Sequence, residues 1–209
     1  MALKYKNEKF WDRIAGKYDR IEQADIAYSL FFEKAKGYLN ANDIVLDFGC
    51  GTGLICNEIA ISVGRIHAID LSTKMLAIAK SKASARKIQN IDFEQTTLDN
   101  PKFKAETFDA IIAFNIFHLL EAPSMYIQHI HNLLKPGGLL LSATPCMREV
   151  PVLKTLLKLL TLIGVTPRIN SFTGVQLKHC IECELFQLLE FKKIKPKSPH
   201  YFIIAQKKG

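Results

Sequence analysis

Asp47, Gly49, Gly51 and Gly53 stand in the run VLDFGCGTG, Val45 to Gly53, spaced D-x-G-x-G-x-G at the end of an apolar stretch. Glycines at such a turn permit positive φ and let a ligand approach the main chain with no Cβ in the way. The spacing then separates the candidate ligands. The dinucleotide fingerprint G-x-G-x-x-G fails, because the sixth position from Gly49 is Leu54 and from Gly51 is Cys56. A phosphate-cradling P-loop needs Gly-Lys-Ser/Thr, which does not follow. Asp70, in AIDLS, ends a second apolar run, where a carboxylate can accept hydrogen bonds from both hydroxyls of a ribose. Its plainer alternative is to cap the helix that begins at Thr73. Cys180 and Cys183 form a single C-x-x-C without a second pair, so the five cysteines read as free thiols. No His/Cys/carboxylate group has ligand spacing, and no metal is expected.

These residues need strands to carry them, and the chain alternates accordingly. Ile44–Phe48, Arg65–Asp70, Ile91–Gln95, Phe108–Phe114 and Gly138–Thr144 read as buried strands. Helical stretches lie between them, from Leu54 to about Ser62, Thr73 to Ala85 and Ala122 to Leu134. Near-continuous apolar strands separated by helices predict a doubly wound, mostly parallel sheet covered on both faces. The end of the chain predicts a helix over Thr173–Leu189 and an antiparallel hairpin of FKKIK and YFIIAQ. That makes one α/β domain over 1–209 with a seven-stranded sheet. Two segments stand outside the alternation: a helical cap over 1–40 and an insertion over 145–172, rich in leucine.

Hydrophobic residues are 48% and charged residues 23%, ordinary values for a chain that buries a full core. The net charge of +8 comes from scattered lysines with no basic block, which argues against nucleic acid as a partner. No apolar leader heads the sequence, and its leucine-rich segment is too short to span a bilayer. The expected location is the cytoplasm.

The glycine motif, with Asp70 beyond it, resembles motif I and its partner acid in the class I S-adenosylmethionine-dependent methyltransferases. LLKPGGLLL resembles that family's turn into the fifth strand, and FWDRIAGKYD the leading helix of quinone C-methyltransferases. The resemblance spans about Phe10 to Ala205. It implies the Rossmann-like methyltransferase fold and S-adenosylmethionine as cofactor, with S-adenosylhomocysteine as product. It further implies that Asp70 holds the ribose, that Asp47 helps place the methionine end, that Gly49, Cys50, Gly51 and Gly53 bind the cofactor, and that Leu71 and Met75 pack the adenine. Thr97 and Leu98 fall where the family carries an acidic residue and a small apolar one against adenine, a departure for which Asp99 could substitute. Asn115 would line the methionine end, Tyr18 would cover the cofactor, and Trp11 would either join it or pack in the core.

Methyl transfer from a sulfonium is an in-line displacement in which alignment and a dry pocket carry most of the catalysis. His118, after the fourth strand, is the candidate base for an acceptor that must lose a proton. The leucines of the insertion either line a hydrophobic acceptor pocket, with possible peripheral membrane contact, or pack back on the sheet. The expected acceptor is small and lipophilic. The alternatives are RNA or protein methylation through the same cofactor site, and a catalytically silent cofactor-binding protein.

Overall fold

The computed structural model describes residues 8–23, 26–150, 159, 161, 166, 169–182, 186–196 and 198–208. Two helices, α1 (Glu8–Gln23) and α2 (Ile26–Lys36), precede the first strand, β1 (Ile44–Phe48). Then follow α3 (Leu54–Ile59), β2 (Arg65–Asp70), α4 (Thr73–Ala85), β3 (Ile91–Gln95), β4 (Phe108–Phe114), α5 (Pro123–Leu133) and β5 (Leu134–Pro145). The chain closes with α6 (Gly174–Glu182), β6 (Phe186–Lys193) and β7 (His200–Lys207).

The sheet has seven strands in the order β3-β2-β1-β4-β5-β7-β6. Strands β1 to β5 run parallel, and β7 pairs antiparallel with both β5 and β6. The direction of winding reverses between β1 and β4, so the crevice beyond their carboxyl ends is the switch point at which such sheets bind ligands. Alternation along each strand feeds two cores. Leu46, Phe48 and Ile111 pack on one face with Ile127 and Ile130 of α5 and Leu177 of α6. Val45, Ile66 and Ile112 pack on the other with Phe31 of α2, Ile55 of α3 and Leu76 of α4. Burial on both faces is what the near-continuous apolar strands require.

The expected helix over Thr173–Leu189 ends early: α6 stops at Glu182, and Phe186 already begins β6. The physical reason is edge pairing. Phe186 to Leu188 pair with Lys207 to Ala205 of β7, and after a bulge Glu190 pairs with Ile204. Glu190 then accepts hydrogen bonds at 2.5 Å from Lys34 and at 2.5 Å from Tyr38 of α2, tying the strand to the helix layer. Likewise β5 starts at Leu134, before the glycine pair, rather than at Gly138. Most of the leucine-rich insertion over 145–172, and Cys183, lie outside the described residues. No helix among the described residues is long and apolar enough to cross a membrane.

Candidate functional site

At the carboxyl ends of β1, β2 and β4, under α1, lies an open crevice of about 620 Å³, counted together with the solvent at its mouth. Its floor is Phe48, Gly49 and Gly51, one wall is Asp70, Leu71, Met75 and Thr96, and the other is Phe114, Asn115, Ile116 and Leu119. Trp11 and Tyr18 of α1 close the top.

Gly49 has φ 74°, and a Cβ there would come within 2.8 Å of Ile116 Cδ1, so only a bare backbone keeps this corner open. Gly51 faces the crevice and Tyr18. Gly53 does not line it. Its Cβ would overlap the Asn57 amide and reach 2.9 Å from Ala79 Cβ, so this glycine lets α3 and α4 pack together. Cys50 is buried among Cys56 and Asp47, and burial pushes its thiol well above the ordinary range.

Two carboxylates serve the loop differently. The Gly51 N–H donates to Asp70 Oδ2 at 2.9 Å and the Ser72 N–H to Oδ1 at 2.8 Å. Each oxygen keeps a second lone pair, and the group stands in the crevice wall. Burial raises the Asp70 carboxyl, while these amides act in the opposite direction. Asp47 is 2% exposed, is not in the crevice lining, and lies beside the backbone and thiol of Cys56, which act against its burial. Burial pushes its carboxyl up to about 7, and its Oδ2 has no hydrogen-bond partner among the described residues.

Asn115, at the end of β4, takes φ 51°, unusual for a residue with a side chain. Its N–H donates to the Ala143 carbonyl and its amide to Glu22 at 2.9 Å, but its Oδ1 is buried with no hydrogen-bond partner among the described residues. A buried orphan oxygen beside a crevice invites a donor from a ligand. Burial first, and the neighbouring Glu22 carboxylate second, hold the Tyr18 phenol well above the ordinary range. The residues present therefore fit an adenosine-bearing group: a bare loop, a carboxylate with spare lone pairs and an unpaired acceptor surround one apolar slot.

Of the expected residues, Tyr18, Gly49, Gly51, Asp70, Leu71, Met75 and Asn115 meet in this crevice. Thr97 and Leu98 lie off it: Thr97 hydrogen-bonds Asp99, and Leu98 is fully buried in the core. Thr96, the first residue after β3, takes the place on the wall, a register shift of one. His118 lies in a short 3-10 turn and is not in the lining, although Ile116 and Leu119 are. Burial first, and the neighbouring His200 second, lower its imidazole to about 3. Its carbonyl accepts from the Asn170 N–H at the end of the insertion.

Missed at the level of sequence were the carboxylates that seat α1. Asp12 accepts from Ser72 Oγ at 2.5 Å, Asp19 accepts from Thr52 Oγ1 and pairs with Lys82, and Glu22 reaches Asn115. Their signal was present: Asp12, Asp19 and Glu22 fall on one side of a helical wheel.

Residues 39–190 match the model of the methyltransferase domain family, most of the chain. The malonyl-[acyl-carrier protein] O-methyltransferase of Halalkalibacterium halodurans is 32% identical over 147 residues, 66% of this chain and 54% of that protein. The ubiquinone biosynthesis O-methyltransferase of Methylocella silvestris is 33% identical over 101 residues, 48% of this chain and 39% of that one. The chain thus spans about half the length, or less, of these curated relatives. In fold it is similar to a SAM-dependent methyltransferase from Aquifex aeolicus, with TM-score 0.71, 18% identity, and 93% and 97% of the two chains covered. A doubly wound sheet with a terminal antiparallel hairpin, a glycine loop facing Asp70 across one crevice, and the domain match establish that the chain belongs to the class I S-adenosylmethionine-dependent methyltransferases.

Proposed function

We propose that the chain binds S-adenosylmethionine across the ends of β1, β2 and β4 and transfers its methyl group to an oxygen of a small, hydrophobic acceptor. The observation that carries this reading is the hydrogen bond from Gly51 N–H to Asp70, which locks the glycine loop and the acid into one ligand-facing unit. Asp70 would accept from the ribose hydroxyls, with Leu71 and Met75 against the adenine and Thr96 offering a hydroxyl at its edge. Asn115 Oδ1 and the backbone of Gly49 would take the donors of the methionine end. Asp47 would act from behind the loop, holding the start of α3 through Cys56. When bound, the cofactor supplies a methyl group already activated on a sulfonium, so the protein's share is alignment and exclusion of water.

Apolar lining supports a hydrophobic acceptor: Trp11, Phe114, Ile116 and Leu119 line the crevice, and among the described residues its charged members are the acids Glu8 and Asp70, with no lysine or arginine. The relatives' names, a malonyl-[acyl-carrier protein] O-methyltransferase and a ubiquinone biosynthesis O-methyltransferase, favour an oxygen as the methylated atom, and among the described residues no base stands in the crevice lining beyond its two acids. His118 fits that economy. An imidazole lowered to about 3 and withdrawn from the lining is a poor proton acceptor. The test is incubation of the protein with methyl-labelled cofactor and fractionated cell extract. Label is expected in the organic-soluble fraction as an ether or ester. Label confined to RNA, or to protein in a form that mild alkaline release of thioester-bound acyl groups does not free, or none above the Asp70→Ala control, would contradict the reading.

A further inference from the structure

Helix α1 sorts its charges. Of its four acids, Asp12, Asp19 and Glu22 turn inward onto Ser72, Thr52 with Lys82, and Asn115, while Glu8 is exposed at its start, where Gln95 donates to it. Lys9, Arg13, Lys17 and Arg20 are all exposed, and none is ion-paired to another described residue. Spaced by four, four and three residues, they fall within about 80° of the helix circumference. No acid stands among them, so they repel one another along the helix at i, i+4. Beside that stripe runs an apolar strip of Phe10, Ile14 and Ile21, with Ile21 57% exposed. The crevice opens on the next face, under Trp11 and Tyr18.

We propose that this outer face of α1 docks the protein on an anionic lipid surface. A cationic stripe flanked by exposed Ile21 and half-buried Phe10 and Ile14 is the arrangement that lies flat at a headgroup boundary, cations on the phosphates and apolar groups just beneath. A nucleic acid would satisfy the cations but leaves Ile21 without a role, which favours the bilayer. Docked this way, the apolar mouth of the crevice lies next to the medium in which a hydrophobic acceptor dissolves. The surface is independent of the proposed reaction and goes beyond it.

The experiment is co-sedimentation of the full chain with vesicles of phosphatidylcholine alone or mixed three to one with phosphatidylglycerol, following Trp11, the chain's single tryptophan, by fluorescence. Binding is expected to the mixed vesicles only, to weaken with added salt, and to blue-shift the Trp11 emission. Replacing the four cations together, Lys9→Gln, Arg13→Gln, Lys17→Gln and Arg20→Gln, should reduce it at least about tenfold. The melting temperature should hold, because these side chains have no described partners. Ile21→Ser should weaken binding while leaving its salt dependence unchanged. Equal binding to neutral vesicles, no loss in the fourfold variant, or preferential binding of a duplex RNA competitor would overturn the proposal.

Discussion

Gly49 and Gly53 share a φ of 74° yet do different work: one keeps a corner open to a ligand, the other lets two helices touch. Gly53→Ala meets both the left-handed backbone and the Ala79 side chain, so a loss of about 3 kcal/mol is expected in denaturant unfolding. The sequence announced the glycine spacing but not this division, because the neighbours that decide it, Ile116 and Ala79, are distant in the chain. The same limit explains Thr96. Reading the loop after the third strand by family register pointed to Thr97 and Leu98, yet Leu98 is drawn into the core with Ile127 and Ile130. Two buried groups give the cofactor-free protein opposite pH trends. His118, lowered to about 3, binds fewer protons folded than unfolded, so its contribution is present above about 6.5 and is lost as pH falls toward 3. Asp47, raised to about 7, binds more protons folded, so stability is lost as pH rises from about 4 to 7. Each slope is at most about 1.4 kcal/mol per pH unit. Melting curves across pH 4 to 7 should therefore show His118→Phe flattening the acid-side loss and Asp47→Asn the loss on the neutral side.

Among the elements, α1 is the one whose role sequence reading underestimated. The helical cap expected over 1–40 forms, and the acids on one side of α1 find partners in Ser72, Thr52 and Asn115, in the turns that follow β2, β1 and β4. Ser72 accepts from the Met75 N–H as the N-cap of α4 while donating to Asp12, so one hydroxyl joins the cap of the adenine-side helix to the cover of the crevice. Removing the seat should loosen the cover without unfolding the sheet. Asp12→Ala with Asp19→Ala is expected to raise amide exchange in α1 selectively and to speed cofactor release about tenfold, measured by stopped flow. Exchange rising equally across the sheet would assign the two acids to global stability instead. The parallel strands were legible because burial on both faces leaves unbroken apolar runs. The start of β6 was not, since FQLLEF carries apolar residues at helical as well as strand spacing, and only pairing with β7 decides between them.

For the whole molecule, the switch point between β1 and β4 organises everything that bears on function. It sets the glycine loop beside Asp70, leaves Asn115 with an unpaired oxygen, and gives α1 a slot to cover. The doubly wound order and the hairpin followed from the alternation of runs, whereas the edge between cap and crevice depended on contacts across more than ninety residues, as between Glu22 and Asn115. The most direct test is isothermal titration of the cofactor-free protein with S-adenosylmethionine, S-adenosylhomocysteine and NAD, repeated on Asp70→Ala. Both sulfur compounds should bind and NAD should not, and the substitution should weaken binding by about 2 kcal/mol or more, as expected when ribose hydroxyls lose a charged acceptor. Absence of binding by either sulfur compound, or unchanged affinity in Asp70→Ala, would contradict the account.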